Sequence, residues 1–159
     1  RNAQYWLIVL SFPHRYSKAP DIPRGLILEV NESPTPEAIN RLLSRCKLET
    51  HPRKRLAMAL KRSDCHVSLL QEETSKLCGF VRVTSDKGLN ANLWDLSAEP
   101  GKSQDLLLSI LVHRVLKVIR QEMPGCSISI AAPSIATKSL QRNGFLLDPG
   151  GIRSMGLNL

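Results

Sequence analysis

The stretch AEPGKSQDLLLSIL, Ala98 to Leu111, reads as the end of a strand, a short loop and the start of a buried helix. Many α/β proteins hold a phosphate at such a junction. The first amides of a helix have no partner within it, and the helix dipole favours an anion there. That chemistry needs small residues, because a Cβ keeps a phosphate away from the backbone. Here there is one glycine, Gly101, then Lys102, Ser103, Gln104 and Asp105, then three leucines, Leu106, Leu107 and Leu108. The position suits an anion; the residues do not.

A second group of residues could act by charge. From Glu37 to Asp64 there are eight Lys and Arg residues against three acids. Arg53, Lys54, Arg55, Lys61 and Arg62 fall on the face of a short helix away from Leu56, Ala59 and Leu60. The whole chain carries 22 Lys and Arg against 14 Asp and Glu, a formal net charge of +8. Such a field favours polyanions, so a nucleic-acid or ribonucleoprotein contact through this helix is one reading and a solvated face the other. The region has no aromatic residue on which bases would stack. A second basic stripe, His113, Arg114, Lys117 and Arg120, lies on a later helix. The four cysteines, Cys46, Cys65, Cys78 and Cys126, are far apart with no C-x-x-C pair. They read as reduced, packed thiols. His14, His51 and His66 have no spacing suited to a metal, and no metal site is expected.

The elements that position these groups follow from pattern. The chain has 159 residues, 42% apolar and 23% charged, which is ordinary for one globular domain. No apolar run approaches the roughly 20 residues of a membrane-spanning helix. Residues 1–24 read as an N-terminal arm, with YWLIVLSF (Tyr5–Phe12) as a strand or docking segment followed by prolines. The chain opens on Arg1 rather than Met, consistent with an upstream piece removed. Residues 25–159 form the domain. GLILEV is expected as a buried strand, and Thr35, Pro36 and Glu37 mark a helix start. The second helix runs from about Pro52 to Arg62. Three strands with short turns follow over His66–Glu99, with Trp94 expected in the core. A long helix covers about Ser103–Met123, CSISIAAP is a strand, and ATKSLQRNGF is a short helix closed by Gly144. GIRSMGLNL reads as a last strand. The result is a mixed α/β (α+β) fold, a mainly antiparallel sheet flanked by helices in the order β-α-α-β-β-β-α-β-α-β.

Three stretches in this order, GFVRVTSD (Gly79–Asp86), NANLWDLSAEP (Asn90–Pro100) and NGFLLDPGGIRSM (Asn143–Met155), resemble one branch of the GNAT acyltransferase superfamily, the plant plastid GNAT proteins. The resemblance spans about residues 25–159. It implies a loop of the form Q/R-x-x-G-x-G/A whose amides bind the diphosphate of acetyl-CoA. Aligned from Glu99-Pro100, Ser103 takes the opening Gln or Arg position and Gln104 the first glycine. Leu106 falls at a further glycine position and Leu108 at the final small residue, with Asp105 adding a carboxylate between them. Repulsion between that carboxylate and a phosphate in a partly dry site costs on the order of 1 kcal/mol or more. The resemblance also implies a tyrosine on the late helix that protonates the departing thiolate. That position is Leu140, after Ser139.

The sequence therefore favours a GNAT-fold protein without acetyl transfer, expected to need no cofactor and to bind a protein or ribonucleoprotein assembly in a plastid or other plant organelle. The alternative is an active N-acetyltransferase acting on a lysine or N-terminal amine. In that case strand amides near Leu96 and Ala98 receive the pantetheine arm of acetyl-CoA. Lys102 meets phosphate by charge, and Asp95 or Glu99 assists deprotonation of the amine.

Overall fold

In a computed structural model, residues 18–157 are described. Five strands form one sheet: β1 Leu26–Val30, β2 Cys65–Gln71, β3 Leu77–Ser85, β4 Asn90–Ala98 and β5 Ser127–Ile130. They lie in chain order across the sheet, antiparallel except for the β4–β5 pair, which is parallel. Four helices flank it: α1 Pro36–Arg45, α2 Arg53–Arg62, α3 Gln104–Glu122 and α4 Thr137–Arg142. The Tyr5–Phe12 segment lies outside the described residues.

Local chemistry explains the helix boundaries. Thr35 caps α1, its hydroxyl accepting from the Ala38 amide at 3.2 Å, with Pro36 at the first helical position. Pro52 precedes α2 and offers no side-chain cap, and the first turn of that helix carries no acid. α3 ends at Met123 before Pro124, and Gly144 takes a φ of +93° just beyond α4, a conformation that disfavours other residues.

The sheet separates two apolar clusters. Beneath α3 lie Val67, Leu69, Val81, Val83, Leu93 and Leu96, packed on Leu108, Leu111, Val115 and Ile119. On the other face α1 and α2 bring Ile39, Leu42, Leu43, Leu56 and Leu60 onto Leu77 and Phe80. Each fully buried side chain of this kind contributes about 1.5–3 kcal/mol. Gly79 lets the first cluster close: a Cβ there would stand 2.9 Å from Leu111 Cδ1.

Three expectations change. β1 is an edge strand, with Ile27 exposed, rather than a buried one. Trp94 is not core: it is 43% exposed, because it falls on the α1–α2 side of the sheet outside the cluster those helices cover. Its indole N–H donates to Thr84 Oγ1 at 2.8 Å, and Arg82 lies 5.7 Å from its ring centre. The expected last strand is absent among the described residues. Pro149–Gly151 form a 3-10 turn, and residues 152–157 run on without regular structure, exposed throughout. Pro149 has no N–H for a ladder, and Gly150 and Gly151 both take positive φ, which ends extended pairing there.

Candidate functional site

The strands β4 and β5 pair only from Asn90–Ser127 to Leu93–Ile130. Beyond that point β4 is bulged: its register with β3 shifts between Phe80 and Arg82, and Asp95 adopts a left-handed φ of +57°. An extra residue of this kind bends the strand and re-aims its side chains. The strands separate here, leaving a cleft of about 190 Å³. Its apolar lining includes Leu43, Leu96, Ile130 and Pro133, and its polar groups come from Glu49, His51 and Asp95.

Asp95 is the centre of this site. Its side chain is 9% exposed, and its two oxygens are both used. Arg82 Nε donates to Oδ2 at 2.6 Å, and His51 Nε2 lies 2.6 Å from Oδ1. A carboxylate can only accept, so His51 donates through Nε2, and in the neutral ring Nδ1 carries the lone pair. Asn40 fixes the backbone of His51 by two bonds, accepting from its amide at 2.9 Å and donating to its carbonyl at 2.8 Å. A histidine oriented by a buried carboxylate at the edge of a cleft can take a proton from a bound donor.

Glu99 behaves differently. Its carboxylate accepts from Arg45 Nε at 2.9 and 3.1 Å and from Lys76 Nζ at 3.2 Å, and it is not among the cleft residues. It anchors α1 to the end of β4. The sequence pairs Asp95 with Glu99 as possible bases; only Asp95 lies in the cleft.

In the turn from Glu99 to Leu108, Pro100 to Ser103 are exposed, and the side chains of Gln104 and Asp105 are held by the chain's own groups. Gly101 has a φ of +136°, and the Gln104 side chain folds back to donate to the Ala98 carbonyl at 3.0 Å. Ser103 makes no side-chain cap, and Lys102 is exposed. Asp105, on the first turn of α3, reaches α4: Ser139 Oγ donates to its Oδ1 at 2.8 Å and Arg142 Nη1 pairs with its Oδ2. Arg142 and then Ser139 hold the Asp105 carboxyl below the usual carboxylate range. Leu106 points outward, whereas Leu107 and Leu108 enter the core beneath the sheet. Leu140 is also buried in that core and has no proton to give. A diphosphate needs small residues and positive charge; this turn offers Gly101 and Lys102, followed by a carboxylate already bonded to the helix opposite.

The basic residues lie together on α2, where Arg53, Lys54, Arg55, Lys61 and Arg62 are all exposed. Arg53 is paired with Glu37 of α1. Sequence reasoning missed His51 and Arg82. One signal for the bulge was present: the buried apolar positions of β4 run Ala91, Leu93, then Leu96, Ala98, changing phase at Asp95. Among the described residues no group of three His, Cys, Asp or Glu side chains is placed to hold a metal ion.

Comparison with known proteins follows the same line. No family model matches the chain. It is 34% identical over 106 residues to an uncharacterized N-acetyltransferase, ycf52, of Pyropia yezoensis, covering 65% of this chain and 60% of that protein. It is 34% identical over 85 residues to GCN5-related N-acetyltransferase 2, chloroplastic, of Arabidopsis thaliana, covering 54% of this chain and 33% of that one. The chain thus spans less than two thirds of the length of these relatives. Among solved structures it superimposes on a probable acetyltransferase of unknown function from Staphylococcus aureus with a TM-score of 0.72 and 20% identity, over 84% of this chain and 100% of that one. The chain thus shares the fold of a solved probable acetyltransferase and resembles curated proteins named as N-acetyltransferases.

Proposed function

We propose that this chain is a GNAT-superfamily protein that has given up the acetyl-CoA site and serves a plastid as a binding or assembly component for a protein or ribonucleoprotein. One observation carries the reading: the Asp105 carboxylate, at the start of α3, is bonded across to Ser139 and Arg142 of α4. In the superfamily the resemblance places the coenzyme diphosphate on that turn. Here a carboxylate, Leu106 and Leu108 occupy positions where the resemblance implies small residues, and Leu140 occupies the position of the tyrosine. Two relatives named as chloroplastic support plastid residence. Isothermal titration with acetyl-CoA and with coenzyme A tests it. The expected result is no saturable heat at millimolar ligand; a dissociation constant in the micromolar range or tighter overturns it.

A second reading, acetyl transfer to an amine, is favoured by the His51–Asp95 contact at the cleft and by the names of the relatives. In it Nδ1 of the neutral His51 ring accepts the proton of an amine bound in the cleft. Acetylation of a lysine or N-terminal peptide mixture that depends on the protein, and is lost in His51→Ala, would establish this reading in place of the first.

A further inference from the structure

The face of α2 that turns away from the core has cations and no acid. Lys54, Arg55, Lys61 and Arg62 are exposed there. Among the described residues, none of the four makes an ion pair. They are two pairs separated by seven residues, about 10 Å along the helix at 1.5 Å per residue. Met58, 51% exposed, stands between them. The arrangement works against the helix itself. Three cations in its first turn oppose the positive end of the dipole; that turn has no acid or side-chain cap of its own, and only Arg53 has an acidic partner, Glu37 of α1. An anion laid along this face relieves the repulsion.

From this charge complementarity we infer that α2 docks on the phosphate backbone of a nucleic-acid duplex. The inference deepens the reading of the chain as a binding component and names its partner. A protein partner fits this face less well. Protein interfaces gather aromatic and apolar anchors over roughly 800 Å² per partner, and this face offers one methionine. Single-stranded RNA fits less well too, since base stacking needs aromatic side chains and α2 has none. Backbone phosphates of a duplex ask only for free cations.

The test is fluorescence anisotropy of a labelled duplex RNA of about two helical turns, titrated with the full chain. Neutralising about four phosphates gives a log–log salt slope near −3.6, so affinity falls about 100-fold between about 50 and 200 mM salt. The variant Lys54→Gln/Arg55→Gln/Lys61→Gln/Arg62→Gln, which keeps good helix formers, is expected to lose at least tenfold in affinity and most of the slope. A control with the same net charge, Arg24→Gln/Arg114→Gln/Lys117→Gln/Lys138→Gln, is expected to bind within about twofold of the parent. Circular dichroism confirms that both fold. Equal loss in both variants, a salt-independent affinity, or equal binding of polyglutamate overturns the proposal. Because Lys54→Gln/Arg55→Gln/Lys61→Gln/Arg62→Gln leaves the Glu99–Leu108 turn unaltered, acetyl-CoA titration of that variant and of the parent tests the loss of the donor site separately.

Discussion

Replacing Asp95 by Asn keeps the shape of the bulge and changes only its electrostatics. Asn tolerates the left-handed backbone that Asp95 adopts, so no strain is added. The amide has one acceptor oxygen where the carboxylate has two, and both are in use, by Arg82 and by His51. One donor is therefore turned against an NH2 group. Arg82 is the more damaging loss, because its side chain is 13% exposed against 34% for His51. Removing one partner of a buried pair costs about 3–5 kcal/mol, and the remaining oxygen retains part of that, which gives about 2–4 kcal/mol for Asp95→Asn. Urea unfolding followed by circular dichroism reads this as a midpoint lower by about 1–2 M, with an unchanged slope. His51→Ala, at the more exposed end, should cost about 1 kcal/mol or less. The double variant Arg82→Met/Asp95→Asn should be more stable than the sum of its single changes by about 1–3 kcal/mol, since no unpaired cation is left buried. A cost below about 1 kcal/mol for Asp95→Asn together with additive behaviour would refute the claim that Asp95 is the centre of a buried, coupled cluster.

Gly79→Ala places a methyl group 2.9 Å from Leu111 and 3.2 Å from Leu69, both fully buried, and should cost about 1–3 kcal/mol, read as a fall of several degrees in Tm. An unchanged Tm would show that α3 can shift outward freely. Burial, then Glu122 and Asp64, pushes the Cys65 thiol up to about 12, and burial also raises Cys46 and Cys78. In mildly alkaline buffer a disulfide reagent should modify at most Cys126 in the folded protein and all four thiols in urea; rapid native labelling of Cys65 would contradict this. Asp86 accepts from the Asn90, Gly88 and Leu89 amides, which lowers its pKa from 3.8 to about 2. Its contribution to stability is therefore complete above about pH 4 and is lost as the pH falls through about 2. Asp86→Asn should flatten that part of the stability–pH curve; identical curves would remove Asp86 as a source of acid sensitivity.

Helix starts, the meander of β2 to β4 and the composition of the Glu99–Leu108 turn were legible because each depends on neighbours in sequence. Thr35-Pro36-Glu37 is a local cap, and SDKG a local turn. The cleft was not legible. His51 reaches Asp95 across 44 positions, and Arg82 comes from the adjacent strand, so no spacing announces the cluster. Trp94 read as core because it is a large aromatic in a central strand. Which of its faces a helix covers is decided by where α1 and α2 end, and that is tertiary information. GIRSMGLNL has the apolar content of a strand, but the Pro-Gly-Gly just before Ile152 coils the chain into a turn, which outweighed composition.

The sheet acts as a partition between unequal compartments. The side under α3 holds most of the buried apolar groups; the side under α1 and α2 holds a smaller set, closed at its rim by the Arg45–Glu99 and Arg53–Glu37 contacts. The helices α1 and α2 should exchange their amide protons with solvent before α3 does. The cations of α2 therefore ride on the more compliant wall of the molecule, free to adjust to the contour of whatever they grip.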